Sequence, residues 1–176
     1  LQQKNDLDLA EEAYFDLVDQ KTASLMAAST EIGALVGQLG PERSARFRSF
    51  GESLGRAYQV TDDLFDYLGD PDEIGKGVRT DLPEGKVTLP LIRALAAAGP
   101  RDRATLREIA GRRSVLEADD WRTLLVLLEK TGAIEYCREK AKALAVESIA
   151  LLHAEPASPW RESLEKAVAY AVQRIH

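Results

Sequence analysis

The sequence has little of what a disulfide-bonded, membrane-spanning or nucleic-acid-binding protein needs. Its single cysteine, Cys137, excludes an intramolecular disulfide and suits a reducing compartment such as the cytoplasm. No uncharged apolar run approaches the roughly 18 residues that indicate a transmembrane helix. The net charge of −6 opposes binding to a phosphate backbone, so nucleic acid is not an expected partner.

The composition favours helices. Aromatic residues make up only 6% of the chain, whereas alanine and leucine are abundant and lose little side-chain entropy in a helix. No strand-like alternation of useful length occurs, so the sequence predicts an all-α fold in one domain spanning residues 1–176. Glycine, proline and charged residues from 70 to 86 predict a long loop. The predicted helical segments are 9–37, 41–68, 88–98, 101–111, 119–130, 132–153 and 159–176, with Asp119 or Asp120 capping the fifth and with Trp121 and Trp160 in the core.

An acidic stripe carries the strongest chemical signal. Gln59, Asp62, Asp63 and Asp66 share one helical face, and Gly55 extends that face by a turn, where we expect open space. A solvated surface face is the alternative, but the surrounding helix is apolar and no Lys or Arg lies three or four positions from any of the aspartates. Three like charges on one face need an external cation. Carboxylate oxygens at this spacing suit Mg²⁺, which commonly bridges protein carboxylates to substrate phosphates.

Two lysine-containing segments could bind such a phosphate. The first is the loop after the stripe, in which Lys76 follows Gly75 and Lys86 follows Gly85. The second is the Lys21-Thr22 pair on the first helix. Each is weak evidence alone, since a Gly/Lys loop is usually a surface turn and a helical lysine usually extends its amine into solvent.

Together and in this order, these segments resemble the polyprenyl synthetase family, the trans-isoprenyl diphosphate synthases of isoprenoid biosynthesis. Residues 58–66 are similar to the family's second aspartate-rich motif and the aromatic-Gln pair before it. Gly75-Lys76 and residues 81–90 match its Gly-Lys loop and its Asp-Leu-x-Glu-Gly-Lys-x-Thr-Leu-Pro run, and Lys21-Thr22 matches its Lys-Thr pair. The resemblance covers essentially the whole chain.

The resemblance implies a helical bundle of the isoprenoid synthase type and a Mg²⁺- or Mn²⁺-dependent prenyltransferase. In that reaction an allylic diphosphate ionises, and isopentenyl diphosphate attacks the carbocation to give a longer trans-polyprenyl diphosphate. The implied metal ligands are Asp62 and Asp66, supported by Asp63. The implied diphosphate-binding residues are Lys21, Lys76 and Lys86, and the oxygens of Thr22 and Gln59 are implied to lie near the developing cation.

Two family features are missing, namely the first aspartate-rich motif and the basic Gly-Gly-Lys-Arg region that binds isopentenyl diphosphate. In the family both lie N-terminal to the position at which Leu1 stands, so we interpret the chain as the C-terminal part of the domain, without its N-terminal helices. We expect it to need the N-terminal part of the same enzyme, to be inactive alone, and to form a homodimer as family members usually do. A non-catalytic subunit of a heteromeric synthase and a class I terpene cyclase remain alternatives.

Overall fold

The computed structural model describes residues 5–69, 77–112 and 115–173, and within these ranges it contains helices and no strand. The prediction of an all-α fold is confirmed. In chain order the helices are α1 (Glu11–Val18), α2 (Ser24–Val36), α3 (Pro41–Leu68), α4 (Leu89–Ala97), α5 (Pro100–Gly111), α6 (Ala118–Lys130), α7 (Ala133–Leu152) and α8 (Pro159–Gln173). Across these same ranges, no helix has both the length and the apolar character required to cross a membrane.

Glycine and proline set most of the helix ends. Gly40 takes a positive φ of 81° before α3 begins at Pro41, and Gly132 does the same at 71° before α7. Ser158 caps α8, because its hydroxyl accepts the backbone N–H of Arg161 at 3.2 Å. The predicted cap of α6 is wrong: the N-cap residue is Glu117, and Asp119 and Asp120 lie in the first turn. In that position the two carboxylates still interact favourably with the helix dipole.

The first helical segment is interrupted. The sequence predicts one helix over 9–37, whereas the structure begins α1 at Glu11 and inserts a π-helical turn, Asp19–Ala23, before α2. The backbone N–H of Ser24 donates to the carbonyl of Asp19, five residues earlier, which is the π-helical spacing. The wider turn contains Lys21 and Thr22 and therefore changes the direction in which they project relative to an unbroken α-helix.

The chain forms two compact units, and the first combines Leu1–Tyr14 with Asp62–Arg138. In this unit α4, α5 and α6 pack against one another through buried leucines. The ring of Tyr67 stacks on that of Trp121, with centroids 5.9 Å apart, and both side chains are buried. Trp121 is thus a core residue, as predicted.

The second unit combines Phe15–Thr61 with Glu139–His176. Its core contains Phe50, Ala145, Leu152 and Val168. The predicted core position of Trp160 is wrong, because 80% of this residue is exposed. Its place after Pro159 in the first turn of α8 does not bring its indole to the core.

Gly55 has a different role from the predicted one. A Cβ atom at this position would lie 2.6 Å from the Cα atom of Ala23, so the glycine lets α3 approach the π-helical turn closely. The expected open space beside the acidic stripe is therefore not there. Arg56, the next residue, ties the same two elements together, because its Nε and Nη2 atoms each donate to Asp19 at 2.6 Å.

Candidate active site

The buried carboxylate of Asp66 organises the chain that follows α3. Its Oδ1 atom accepts the backbone N–H of Thr80 at 3.0 Å and the Thr80 hydroxyl at 3.2 Å, and its Oδ2 atom accepts the N–H of Asp81 at 3.2 Å. Burial raises the pKa of Asp66 above its ordinary value, while the Thr80 hydrogen bond acts in the opposite direction. Arg79 lies in the left-handed region at φ 62°, and its guanidinium lies 5.2 Å from the centre of the Trp121 ring. Asp66 therefore fixes the start of the 77–88 loop.

Asp63 is held by a residue that the sequence reasoning missed. The hydroxyl of Tyr14 donates to Asp63 Oδ2 at 2.7 Å, and each residue is only 4% exposed. Burial, followed by the charge of Asp63, raises the pKa of Tyr14 well above its ordinary value. The two residues are 49 positions apart, and a single tyrosine on an amphipathic helix gives no sequence signal of such a contact.

Asp62 differs from its two neighbours because it is only partly buried, whereas Asp63 and Asp66 are almost fully buried. Over the described ranges, no three His, Cys, Asp or Glu side chains are grouped to hold one metal ion. The three aspartates predicted to share a cation therefore do not form such a group by themselves.

Asp62 and Asp66 nevertheless fit a hard divalent cation that arrives with a phosphate. Mg²⁺ is usually bound through one or two carboxylates, with the remaining positions taken by substrate phosphates and water. A carboxylate offers about four lone-pair sites, so the three hydrogen bonds that Asp66 accepts do not exhaust its capacity. The Asp62–Asp66 spacing of one helical turn on α3 suits such a shared ligand.

Lys86 lies in the same unit, at the end of the loop. Its Nζ atom contacts Asp81 Oδ1 at 2.7 Å and Glu84 Oε2 at 2.8 Å, so its charge is already balanced by two carboxylates. Although partial burial acts in the opposite direction, these contacts raise the pKa of Lys86 above its ordinary value. The other two predicted members of this loop site, Gly75 and Lys76, lie outside the described residues.

In the second unit the structure brings together Thr22 and Gln59. The Thr22 hydroxyl donates to Gln59 Oε1 at 2.7 Å, and Gln59 is 7% exposed. Lys21, the other predicted residue of the π-helical turn, is exposed. Two predicted side chains that are 37 positions apart thus form one polar pair, which the close approach at Gly55 allows.

The comparisons with known proteins agree with these motifs. A family model described as "Polyprenyl synthetase" matches residues 1–127. The chain belongs to the polyprenyl synthetase family. Its sequence is 36% identical over 173 residues to an octaprenyl diphosphate synthase of Escherichia coli, covering 97% of this chain and 52% of the relative. It is 34% identical over 177 residues to a short chain isoprenyl diphosphate synthase of Methanothermobacter thermautotrophicus, covering 97% of this chain and 51% of that protein.

Solved structures of polyprenyl synthetase relatives show the same isoprenoid synthase fold. A polyprenyl synthase of Caulobacter crescentus, solved with calcium and isoprenyl diphosphate, matches with a TM-score of 0.87 and 36% identity over 98% of this chain and 52% of that one. A geranylgeranyl pyrophosphate synthetase of Pyrococcus horikoshii matches with a TM-score of 0.86 and 28% identity over 96% and 50% of the two chains. The chain thus spans about half the length of the relatives it matches. That it corresponds to their C-terminal part stays a prediction from the motifs.

Proposed function

We propose that this chain provides the allylic-diphosphate side of the active site of a trans-polyprenyl diphosphate synthase. The whole enzyme would join an allylic diphosphate to isopentenyl diphosphate and release diphosphate. The observation that carries the proposal is the α3 carboxylate stripe, where Asp66 is anchored to the loop by two backbone amides and Asp63 by Tyr14. Aspartates that only form a solvated surface do not need buried hydrogen-bond donors of this kind.

In this proposal the substrate diphosphate is bound both by a divalent cation held on aspartates and by lysine side chains. Asp62 and Asp66 hold the divalent cation, Mg²⁺ or Mn²⁺, and Asp63 supports them from its contact with Tyr14. When bound, the cation neutralises the negative charge that builds up on the departing diphosphate. The lysines at positions 21, 76 and 86 bind diphosphate oxygens. The Caulobacter relative, whose structure contains calcium and isoprenyl diphosphate, supports an oxygen-ligated cation beside a prenyl diphosphate.

The Thr22–Gln59 pair acts on the hydrocarbon side. The Thr22 hydrogen is directed at Gln59 Oε1, so the lone pairs of the Thr22 oxygen are left to face positive charge. Oxygen dipoles that are fixed before the reaction stabilise a developing allylic carbocation without needing to reorganise. The π-helical turn and the Arg56–Asp19 ion pair hold Thr22 in place for this task.

Binding of an allylic diphosphate tests the proposal. Calorimetry with a non-ionising thio analogue of geranyl diphosphate should show binding that depends on Mg²⁺. Asp62→Asn and Asp66→Asn should each weaken it by about tenfold to a hundredfold, because each removes a charged ligand. The matched control is Asp119→Asn, which changes an 89% exposed aspartate in the same unit. Equal binding by all three variants would refute the assignment.

A prenyl-transfer assay tests whether the chain is active by itself and which reaction it supports. We propose that the active enzyme includes an N-terminal part, is a homodimer and is cytoplasmic, and that the 176-residue chain alone transfers no prenyl group. Prenyl transfer measured with the purified chain would contradict the proposed inactivity of the chain alone. Product formation that does not require isopentenyl diphosphate would instead indicate a cyclase, and copurification with a complete, distinct synthase chain would favour a non-catalytic subunit.

A further inference from the structure

A cavity lined by both charged and apolar side chains lies within the unit formed by Leu1–Tyr14 and Asp62–Arg138. It has a volume of about 370 Å³ and shares no lining residue with the aspartate site. The segment 7–11, which leads into α1, and the helices α4 and α5 form its walls. Its charged lining residues are Asp8, Glu11, Arg93, Arg103 and Arg107.

Two of the three arginines are held in place by protein acceptors. Arg103 donates through Nε to the carbonyl of Leu95 at 2.8 Å and through Nη2 to the carbonyl of Ala96 at 3.3 Å, which caps the end of α4. Arg107 forms an ion pair with Asp8. These contacts fix the positions of both guanidinium groups without occupying all of their five N–H donors.

Arg93 is oriented but has no acceptor. Its guanidinium carbon lies 4.4 Å from the centre of the Tyr136 ring, a cation–π contact. Tyr136 is itself fixed, because its hydroxyl donates to the carboxylate of Glu11 at 2.7 Å. Among the residues that the structure describes, nothing accepts a hydrogen bond from Arg93 or pairs with it, although it is partly buried. Arg93 therefore lines the cavity with a stacked guanidinium that has no described acceptor.

The charges of the cavity favour an anion. The cavity lining contains three arginines and two acidic residues. Asp8 is paired with Arg107, and Glu11 accepts a hydrogen bond from Tyr136. Planar guanidinium forks match the geometry of phosphate oxygens and bind them with charge-assisted hydrogen bonds. The volume falls within the range of roughly 300–1,000 Å³ that small-molecule sites occupy.

We propose that this cavity binds a small phosphate-bearing anion, with Arg93 as its principal ligand. The site does not require a divalent cation, because the positive charge comes from arginine side chains. It is therefore independent of the proposed prenyl transfer and of the α3 aspartates.

Calorimetry with inorganic diphosphate in the presence of EDTA tests the proposal. We expect saturable binding to one site, with inorganic phosphate binding more weakly than diphosphate because it carries less negative charge. Arg93→Gln should weaken diphosphate binding by about tenfold to a hundredfold, since it removes a charged, two-pronged donor. Arg93→Lys should also weaken it, because an ammonium keeps the charge and loses the fork. Arg122→Gln is the matched control: Arg122 is 74% exposed on α6 of the same unit and should leave binding unchanged.

The outcomes separate cleanly. No saturable binding by the unsubstituted chain at millimolar diphosphate overturns the proposal, and so does binding that Arg93→Gln and Arg122→Gln reduce equally. Circular dichroism of Arg93→Gln checks that its fold is intact, and the Arg93→Lys variant provides the same test should that fold be lost. Asp62→Asn should keep this metal-free binding, so failure of the α3 site and failure of this one are distinguishable.

Discussion

Replacing Tyr14 by Phe removes one oxygen atom from the buried contact with Asp63. The hydroxyl donates to a carboxylate oxygen at 2.7 Å, and both residues are 4% exposed. A hydrogen bond to a charged group contributes about 1.5–3 kcal/mol to stability, and a buried acceptor that loses its donor is costly. We therefore expect the free energy of unfolding to fall by about 1.5–3 kcal/mol. For a chain of this length the same change lowers Tm by roughly 3–12 °C.

Urea denaturation followed by circular dichroism, without divalent cations, measures this change. The control is Tyr170→Phe, which removes a hydroxyl from a residue that is 71% exposed and should change stability by less than about 0.5 kcal/mol. A double-mutant cycle with Asp63→Asn should show a coupling of about 1–2 kcal/mol, because the two residues share one contact. Strictly additive free-energy changes in the cycle would show that the Tyr14 hydroxyl does not support Asp63. A loss of stability in Tyr14→Phe no larger than that in Tyr170→Phe would show the same.

Three further predictions concern packing, acid stability and thiol reactivity. Gly55→Ala should destabilise the folded chain by about 1–3 kcal/mol, because the added Cβ atom would collide with the backbone of Ala23 in the π-helical turn. Its control is Gly33→Ala, which should be neutral or stabilising in the same urea denaturation assay because no atom lies within 4 Å of the added Cβ. Hydrogen bonds from Arg43 lower the pKa of Glu155 from its ordinary 4.5, so its contribution to stability is present above that pH and is lost as the pH falls through the lowered folded-state value. The acid unfolding curve of Glu155→Gln should therefore lack that loss; superimposable acid limbs would contradict it. Cys137 is fully buried, and burial raises the pKa of its thiol to about 12. Iodoacetamide at pH 8 should therefore label this thiol only as fast as the protein unfolds. Rapid labelling of the folded chain would contradict the burial of Cys137.

The helix boundaries were largely predictable from local chemistry. Gly40 and Pro41 at one end and Gly69 at the other bracket α3, whose observed bounds, Pro41–Leu68, match the predicted ones. The π-helical turn was not predictable in this way, because neither glycine nor proline marks it. The turn packs against α3 where Gly55 approaches Ala23, and such a tertiary contact leaves no mark in the local sequence.

The candidate site was predicted as a set of residues but not as an arrangement. Helical spacing placed the three aspartates on one face, yet it could not show that Asp63 and Asp66 have different partners, Tyr14 and the Thr80 loop. Charge counting assigned Lys86 to a phosphate without revealing its ion pairs with Asp81 and Glu84. Each of these facts concerns side chains whose distance depends on how the chain folds back.

Anomalous diffraction tests the central claim most directly. Crystals of the chain grown with Mn²⁺ and inorganic diphosphate should show a manganese peak at carboxylate-ligand distance from Asp62 and Asp66, about 2.0–2.4 Å, with diphosphate oxygens completing the coordination. Manganese bound only elsewhere, or an empty map at these two side chains under saturating metal and diphosphate, would contradict the account.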